Sequence, residues 1–230
     1  SGIDLIPGDK ENPHPITSDG HFIQVDNIAW EFNIPAAKTS DEFSNNIQFV
    51  LDHLKTIADE HRLVLSDKVS DEIEPSELED PRALVFGCDP DYNAYTLMDN
   101  PTPDNRTNLR CVGGHVHIGY HEPSVEKSIR IVKLFDLFVV LPSMMMDNDV
   151  RRRELYGRPG SFRFKKFGLE CRSLSNFWIH DESTRKWVYD KTTDAILLAL
   201  EKPEVADEII DKYSHYVTDV VMSNNKEEAS

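Results

Sequence analysis

At 230 residues the chain is long enough to bury a sizeable core and short enough to be one domain, or one domain with an appendage. A formal net charge of −16 argues against nucleic acid as a direct partner, because phosphate binding needs clustered Lys and Arg. The longest apolar run, Leu137–Leu141, is far too short to cross a bilayer, so no membrane partner is expected. Cys88, Cys111 and Cys171 are odd in number and never in Cys-x-x-Cys spacing, which fits reduced thiols in a cytoplasmic protein. No Met precedes Ser1, so a processed chain or a piece of a longer one is expected.

Residues 1–20 are rich in Pro, Gly, Asp and Asn and predict irregular structure. Residues 21–34 predict a strand pair or one bent strand, with Asp26-Asn27 as the turn or bulge. There Trp30, Phe32 and Ile34 alternate with Glu31 and Asn33, so two polar side chains share a face. Thr39-x-x-Glu42 is a capping box for a helix to about residue 61, with Phe43, Ile47, Val50, Leu54 and Ile57 as its buried stripe. Arg62–Leu65 and Ala83–Phe86 predict short strands separated by an acidic surface loop, 66–82.

Asn108-Leu-Arg-Cys-Val-Gly-Gly-His-Val-His-Ile-Gly-Tyr120 predicts a strand with His115 and His117 on one face and Val112, Val116 and Ile118 on the other. Ser124 caps a helix carrying Val125, Ile129, Val132, Phe135 and Val139, which Pro142 kinks or ends. Met144–Met146 is expected in the core. Phe162–Phe164 and Gly168–Leu174 predict strands, and Asp181–Ala199 and Pro203–Met222 predict helices. The mixed order predicts an α+β fold with a mainly antiparallel sheet. Residues 1–181 would form the sheet-based part, 182–222 the C-terminal helices of the same domain, and 223–230 a disordered tail.

Three strands repeat one design: Glu31 with Asn33, His115 with His117, and Glu170 with Arg172 are each i, i+2 pairs on one face. On one sheet they would build a polar floor. Carboxylates with histidine suit Mg²⁺ or Mn²⁺, and arginine suits phosphate or carboxylate. Arg151, Arg152, Arg153, Arg158 and Arg163 crowd a short segment of an acidic chain, where polyphosphate binding would explain them. Gly157 and Gly160 would let that loop fold over a ligand. The alternatives are solvated strand faces and a salt-bridged helix surface. His115-x-His117 followed by Glu122 also fits a cupin spacing, but a helix follows at once. Half of a zinc hydrolase site is a further alternative, though no His-Glu-x-x-His occurs. Neither Gly-x-x-x-x-Gly-Lys-Ser/Thr nor Gly-x-Gly-x-x-Gly is present, so a nucleotide would bind on a sheet face through arginines.

Several motifs in order, namely Trp30-Glu-Phe-Asn-Ile34, Phe86-Gly-Cys-Asp-Pro-Asp-Tyr-Asn-Ala94, Gly113-Gly-His-Val-His-Ile-Gly119, Gly160-Ser-Phe-Arg163 and Gly168-Leu-Glu-Cys-Arg-Ser-Leu-Ser-Asn-Phe-Trp178, resemble the phage-type carboxylate–amine ligases (type 2) of the amidoligase superfamily. The resemblance spans roughly residues 6–180. It implies a glutamine-synthetase-like catalytic domain whose antiparallel sheet curves around ATP and two divalent metals, Mg²⁺ or Mn²⁺. Such enzymes phosphorylate a small-molecule or peptide carboxylate and let an amine displace the phosphate. By the same resemblance Glu31, His115 and Glu170 would be metal ligands. His117, Arg153 and Arg158 would contact the nucleotide, Arg163 and one of Arg151–Arg153 would neutralise the developing phosphoryl charge, and Arg172 would lie on the phosphates or the substrate carboxylate. A phage protein would work in the host cytoplasm. Relatives open on an acidic strand of Gly-x-Asp-Pro-Glu type, which is expected to be missing here. Asp89-Pro-Asp91 lies in a later motif. A truncated or degenerate ligase fold acting as a binding or assembly protein is therefore the second expectation, and a metal-dependent hydrolase the third.

Overall fold

The computed structural model describes residues 2–84, 91–101, 108–147 and 150–229. It begins with a small antiparallel sheet of β1 (His14–Pro15), β2 (Phe22–Asp26) and β3 (Ala29–Asn33). The β2–β3 hairpin turns at Asn27, whose φ of 59° is left-handed, a conformation Asn tolerates. Helix α1 (Ser40–Glu60) starts where the capping box predicts: the Thr39 hydroxyl accepts from the Glu42 N–H at 3.1 Å. Its Val50 and Leu54 close a core with Ile6 and Ile23 beneath the hairpin.

Between α1 and residue 84 the local pattern misleads. Arg62–Leu65 is not a strand: Arg62 is left-handed (φ 58°) and Val64 is 93% exposed, with no sheet to join. The acidic loop instead supplies β4 (Ser70–Glu72) and a 3₁₀ turn at Pro75–Leu78. Ala83 lies in a short helix, α2 (Pro81–Leu84), not a strand; residues 85 and 86, like Cys88 and Asp89, lie outside the described residues. A two-residue strand follows, β5 (Tyr92–Asn93). The histidine stretch is two strands. β6 (Leu109–Cys111) pairs with β4, while β7 (Val116–Gly119) joins a different sheet. The chain breaks between them at Gly113 and Gly114, so His115 stands just ahead of β7.

Helix α3 (Val125–Phe135) is capped by the Ser124 hydroxyl, which accepts from the Lys127 N–H at 3.2 Å. Val132, Phe135 and Val139 are buried as expected; Val125 is 60% exposed, and Ile131 and Leu134 fill the core instead. Pro142 cannot donate to the Phe138 carbonyl, and its ring crowds that carbonyl. The helix widens into a π turn over Asp136–Val140 before a last turn, α4 (Leu141–Ser143). Of the three methionines only Met144 is buried.

One-turn helix α5 (Arg152–Leu155) precedes the hairpin β8 (Ser161–Lys165) and β9 (Gly168–Cys171). Helix α6 (Glu182–Glu201) is capped by Asp181. The predicted last helix is divided into α7 (Pro203–Tyr213), a 3₁₀ turn and α8 (Val217–Ser223). After the left-handed cap Asn224 a further turn, α9 (Lys226–Ala229), sets Ala229 against the core where a disordered tail was expected.

The class is α+β, and every pairing among the described strands is antiparallel, but the strands form three sheets instead of one. The largest has the order β5-β8-β9-β7. One face, with Phe162, Leu169, Cys171, Val116 and Ile118, packs on α3, the π turn, α6 and the C-terminal helices. The opposite face carries Arg163, Lys165, Glu170 and His117, by the period-2 alternation of the strands.

Asp136, wholly buried at the head of the π turn, ties these layers to the arginine loop. It accepts from the Gly160 N–H at 2.6 Å and the Ser173 hydroxyl at 3.2 Å. Burial pushes its carboxyl up to about 7, against those hydrogen bonds and one with Tyr95. In the unfolded chain it titrates near 3.8, so the unfolded state binds fewer protons across that window. Its favourable contribution is full below about pH 4 and is lost as the pH rises through 7. Asp136→Asn should therefore be more stable than wild type at pH 8, by on the order of 2–4 kcal/mol, with the difference closing towards pH 4 in urea titrations.

Candidate active site

Pairing sets the polar face. Glu170 lies opposite His117 of β7 on one side and Arg163 of β8 on the other. Its carboxylate is only 3% exposed and is ringed by basic groups. Arg172 Nη1 donates to Glu170 Oε1, with His115 Nδ1 3.3 Å from the same oxygen. Lys165 Nζ lies 2.7 Å from Oε2, and His117 Nε2 is 3.8 Å from Oε2. Arg172 also reaches Asp91 Oδ2 through Nε at 3.3 Å. His115 can come this close because residue 113 is glycine: a Cβ there would overlap His115 Nε2.

The electrostatics divide the groups. Burial pushes Glu170 up, but the hydrogen bond from His115, the charge of Arg172 and the hydrogen bond from Lys165 overcome it and hold the carboxyl well below the usual range. Burial pushes His115 down to about 4; Arg172 and Arg152 act in the same direction and Glu170 against them. His117 is lowered too, chiefly by burial. Both imidazoles are therefore neutral near pH 7. With Nδ1–H donating to Glu170, His115 keeps a lone pair on Nε2, the arrangement of a metal-ligating histidine. Its Nδ1 also lies 3.2 Å from Arg172 Nη1, which would donate to the other tautomer.

Glu31 sits on another sheet, opposite Gln24, whose amide donates to it at 2.7 Å. Burial raises its carboxyl, and so do the neighbouring charges of Asp26 and Glu170. The three polar faces are thus not one floor, yet Glu31 stands within the field of Glu170. The arginine cluster is dispersed, because α5 is a single turn and successive residues point in different directions. Arg151 is half-exposed and 3.7 Å from Glu72. Arg152 is buried and donates to the carbonyls of Val112 (2.8 Å), Ser173 (2.9 Å) and Arg172 (3.2 Å), so it is neither a phosphate ligand nor a surface salt bridge. Gly157, left-handed at φ 73°, is needed there, since a Cβ would overlap the Arg152 guanidinium. Arg153 is buried 3.9 Å from Asp147, and Arg158 is half-buried.

Two site residues escape the sequence reading. Lys165 shares the Arg163 face by simple alternation, a signal that was present. Asp91 carries no such signal, because its contact with Arg172 crosses from one loop to another strand. The donor chemistry of Glu31, Glu170 and His115 suits a hard divalent cation. As they stand, however, no three His, Cys, Asp or Glu side chains among the described residues converge on one metal position. Glu170 instead turns its oxygens to Arg172 and Lys165.

The fold and site together define a buried carboxylate–histidine–arginine centre on an antiparallel sheet. Residues 106–209 match the family described as phage phiEco32-like COOH.NH2 ligase-type 2, the family that the motifs resemble. The matched segment contains β6 to β9 and both histidines, Glu170 and Arg172, and leaves Glu31 and Asp91 outside. No curated protein and no solved structure matches the chain.

The packing at His115 can be read directly by NMR. Its imidazole should stay neutral at pH 6 and titrate near pH 4. Gly113→Ala, by pushing the ring off its seat, should return the titration towards about 6.5. An ordinary value in the unaltered protein would show that the ring is not packed beside Arg172.

Proposed function

We propose that the protein is an ATP-dependent carboxylate–amine ligase working through an acyl phosphate on a glutamine-synthetase-like catalytic fold. The family match supports the carboxylate–amine ligase class. The observation that carries the finer reading is Glu170: a buried, ionised carboxylate with His117 and Arg163 opposite it on the neighbouring strands and His115 and Arg172 reaching it from just outside β7 and β9. In the reaction a carboxylate oxygen of the acid attacks the γ-phosphorus of ATP and expels ADP. The amine then attacks the acyl carbon, expels phosphate and sheds a proton. Phosphoryl transfer asks for positioning and charge neutralisation more than covalent help.

In this reading Arg163 and Arg172 neutralise the transferring phosphoryl group, and His117 and Arg158 meet the nucleotide phosphates. For Arg153 the resemblance alone supports a nucleotide contact, since its guanidinium is buried by Asp147. Glu31, His115 and Glu170 would hold Mg²⁺ or Mn²⁺, which when bound would shield the charge between ATP and the incoming carboxylate. His115 and His117, both neutral, serve as hydrogen-bonding or ligating groups and add no cationic charge to the site. Substrates would be small acids, amines or peptides. The setting would be the host cytoplasm of a phage; no helix of the described residues is long and apolar enough to cross a membrane.

One observation favours a second reading, a degenerate ligase fold that binds or assembles without catalysis: Arg172 and Lys165 already occupy both oxygens of Glu170. Phosphate release from ATP with Mg²⁺ across a panel of amino acids and peptides separates the two. The ligase should show acid- and amine-dependent release, lowered at least 100-fold by Glu170→Ala or Arg163→Ala. Release indifferent to Glu170→Ala would sink the site. No calorimetric binding of ATP with Mg²⁺ would leave the second reading standing.

A further inference from the structure

The β2–β3 hairpin has a polar face of which the ligase reading uses only Glu31. Gln24 lies directly opposite Glu31, and Asp26 lies two residues further along β2, so the three side chains project to one side. Ile23, Val25, Trp30 and Phe32 project to the other side and pack with Val50 and Leu54 of α1. Ala29, the residue opposite Asp26, is small.

Gln24 is 5% exposed, and its amide is oriented by donating from Nε2 to Glu31 Oε2 at 2.7 Å. The reverse orientation would set Oε1 against the carboxylate. Oε1 is buried and has no hydrogen-bond partner among the described residues. A buried acceptor left unpaired is costly, so this oxygen calls for a donor. The same face is short of positive charge. Neither Asp26 nor Glu31 makes an ion pair among the described residues, and Asp26 and Glu170 both act on Glu31 as like charges, with the exposed Lys10 opposing them.

Three oxygen acceptors on one face, two of them anionic, fit a cation. A divalent metal of the Mg²⁺ type needs its oxygens at about 2.1 Å around one point. No three His, Cys, Asp or Glu side chains among the described residues converge in that way. A primary ammonium asks for less: three N–H donors, each reaching an acceptor at about 2.9 Å along diverging directions. The charge pattern agrees. Arg163, Lys165 and Arg172 present cations suited to a carboxylate and to phosphates, whereas Asp26, Glu31 and Gln24 Oε1 present acceptors.

We propose that the hairpin face of Gln24, Asp26 and Glu31 is the amine subsite, which takes the co-substrate as a primary ammonium, Gln24 Oε1 and the two carboxylates accepting its three N–H bonds. The inference rests on the ligase reading and replaces, for Glu31, the metal role that the resemblance implies.

Two measurements on the full chain test it. The first needs neither turnover nor a variant. In nitrogen-edited NMR spectra the Gln24 side-chain amide, assigned through bonds to its own backbone, should shift on titration with methylammonium chloride and stay in place with tetramethylammonium chloride, which has no N–H. An equal response to the two salts, or none to methylammonium, would overturn the subsite. A shift with Mg²⁺ and none with methylammonium would return Glu31 to the metal. The second measurement uses hydroxylamine, uncharged near pH 7, which traps an acyl phosphate by attacking the acyl carbon, expelling phosphate and shedding a proton. Gln24→Met should lower the ratio of amide to hydroxamate formed by about tenfold or more, through a raised KM for the amine. An unchanged ratio would overturn the subsite while leaving the ligase reading intact. Wild-type protein that forms neither product with any acid of the panel would instead remove the ligase reading, and the amine role with it.

Discussion

Glu170 is a charged group nearly excluded from water, and that state must be compensated at every edge. Leaving such a charge without its partners costs about 3–5 kcal/mol, so the surrounding structure is bound to deliver them. Register delivers His117 and Lys165 through the β7–β9 and β8–β9 pairings. Chain continuation beyond β9 delivers Arg172, and the glycine break ahead of β7 delivers His115. Arg172 is steadied in turn by Asp91 and by the Arg152 clamp on its own carbonyl.

The same strands answer a second demand on their other face. Phe162, Leu169, Cys171, Val116 and Ile118 are buried on a helical layer, and this gives the polar face a rigid back. Two devices join the layers. The π turn seats Asp136 under the Gly160 N–H and Ser173, and Arg185 of α6 donates to Ser44 (2.9 Å) and Gln48 (3.0 Å) of α1. Aromatic stacking of Phe43 on Trp178, with centroids 5.6 Å apart, closes the same seam. The site is thus held from below by packing and from the side by hydrogen bonds, while Lys165 and His117 remain at the solvent edge.

Local patterns were legible wherever a residue's role depends on its near neighbours. The capping box at Thr39, the caps at Ser124 and Asp181, and the stripe of Ile47, Val50 and Leu54 all follow from spacing. Alternation likewise sets His117, Glu170 and Arg163 each against apolar neighbours within its own strand, and the pairing of β7, β8 and β9 then puts the three on one face. Reading failed where a residue's role depends on something remote. Arg62–Leu65 has the composition of a strand but pairs with no strand among the described residues. Arg151–Arg153 look alike in sequence, yet one meets Glu72, one meets three carbonyls and one is buried beside Asp147. Val125 sits on the right helical phase but in a first turn that lies beyond the core.

What the sequence by itself determined is the chemistry on offer and its local direction: two imidazoles, two carboxylates and arginines projecting from alternating strands, in motifs of a ligase family. Only the tertiary structure decided which of them meet. It put Glu31 on a separate sheet, sent Arg152 into the interior, and brought Lys165 and Asp91 into the centre. The reason is physical. Alternation is a short-range property of the backbone, whereas the neutralisation of a buried charge is settled by whichever groups the packing of distant segments brings within a few ångströms.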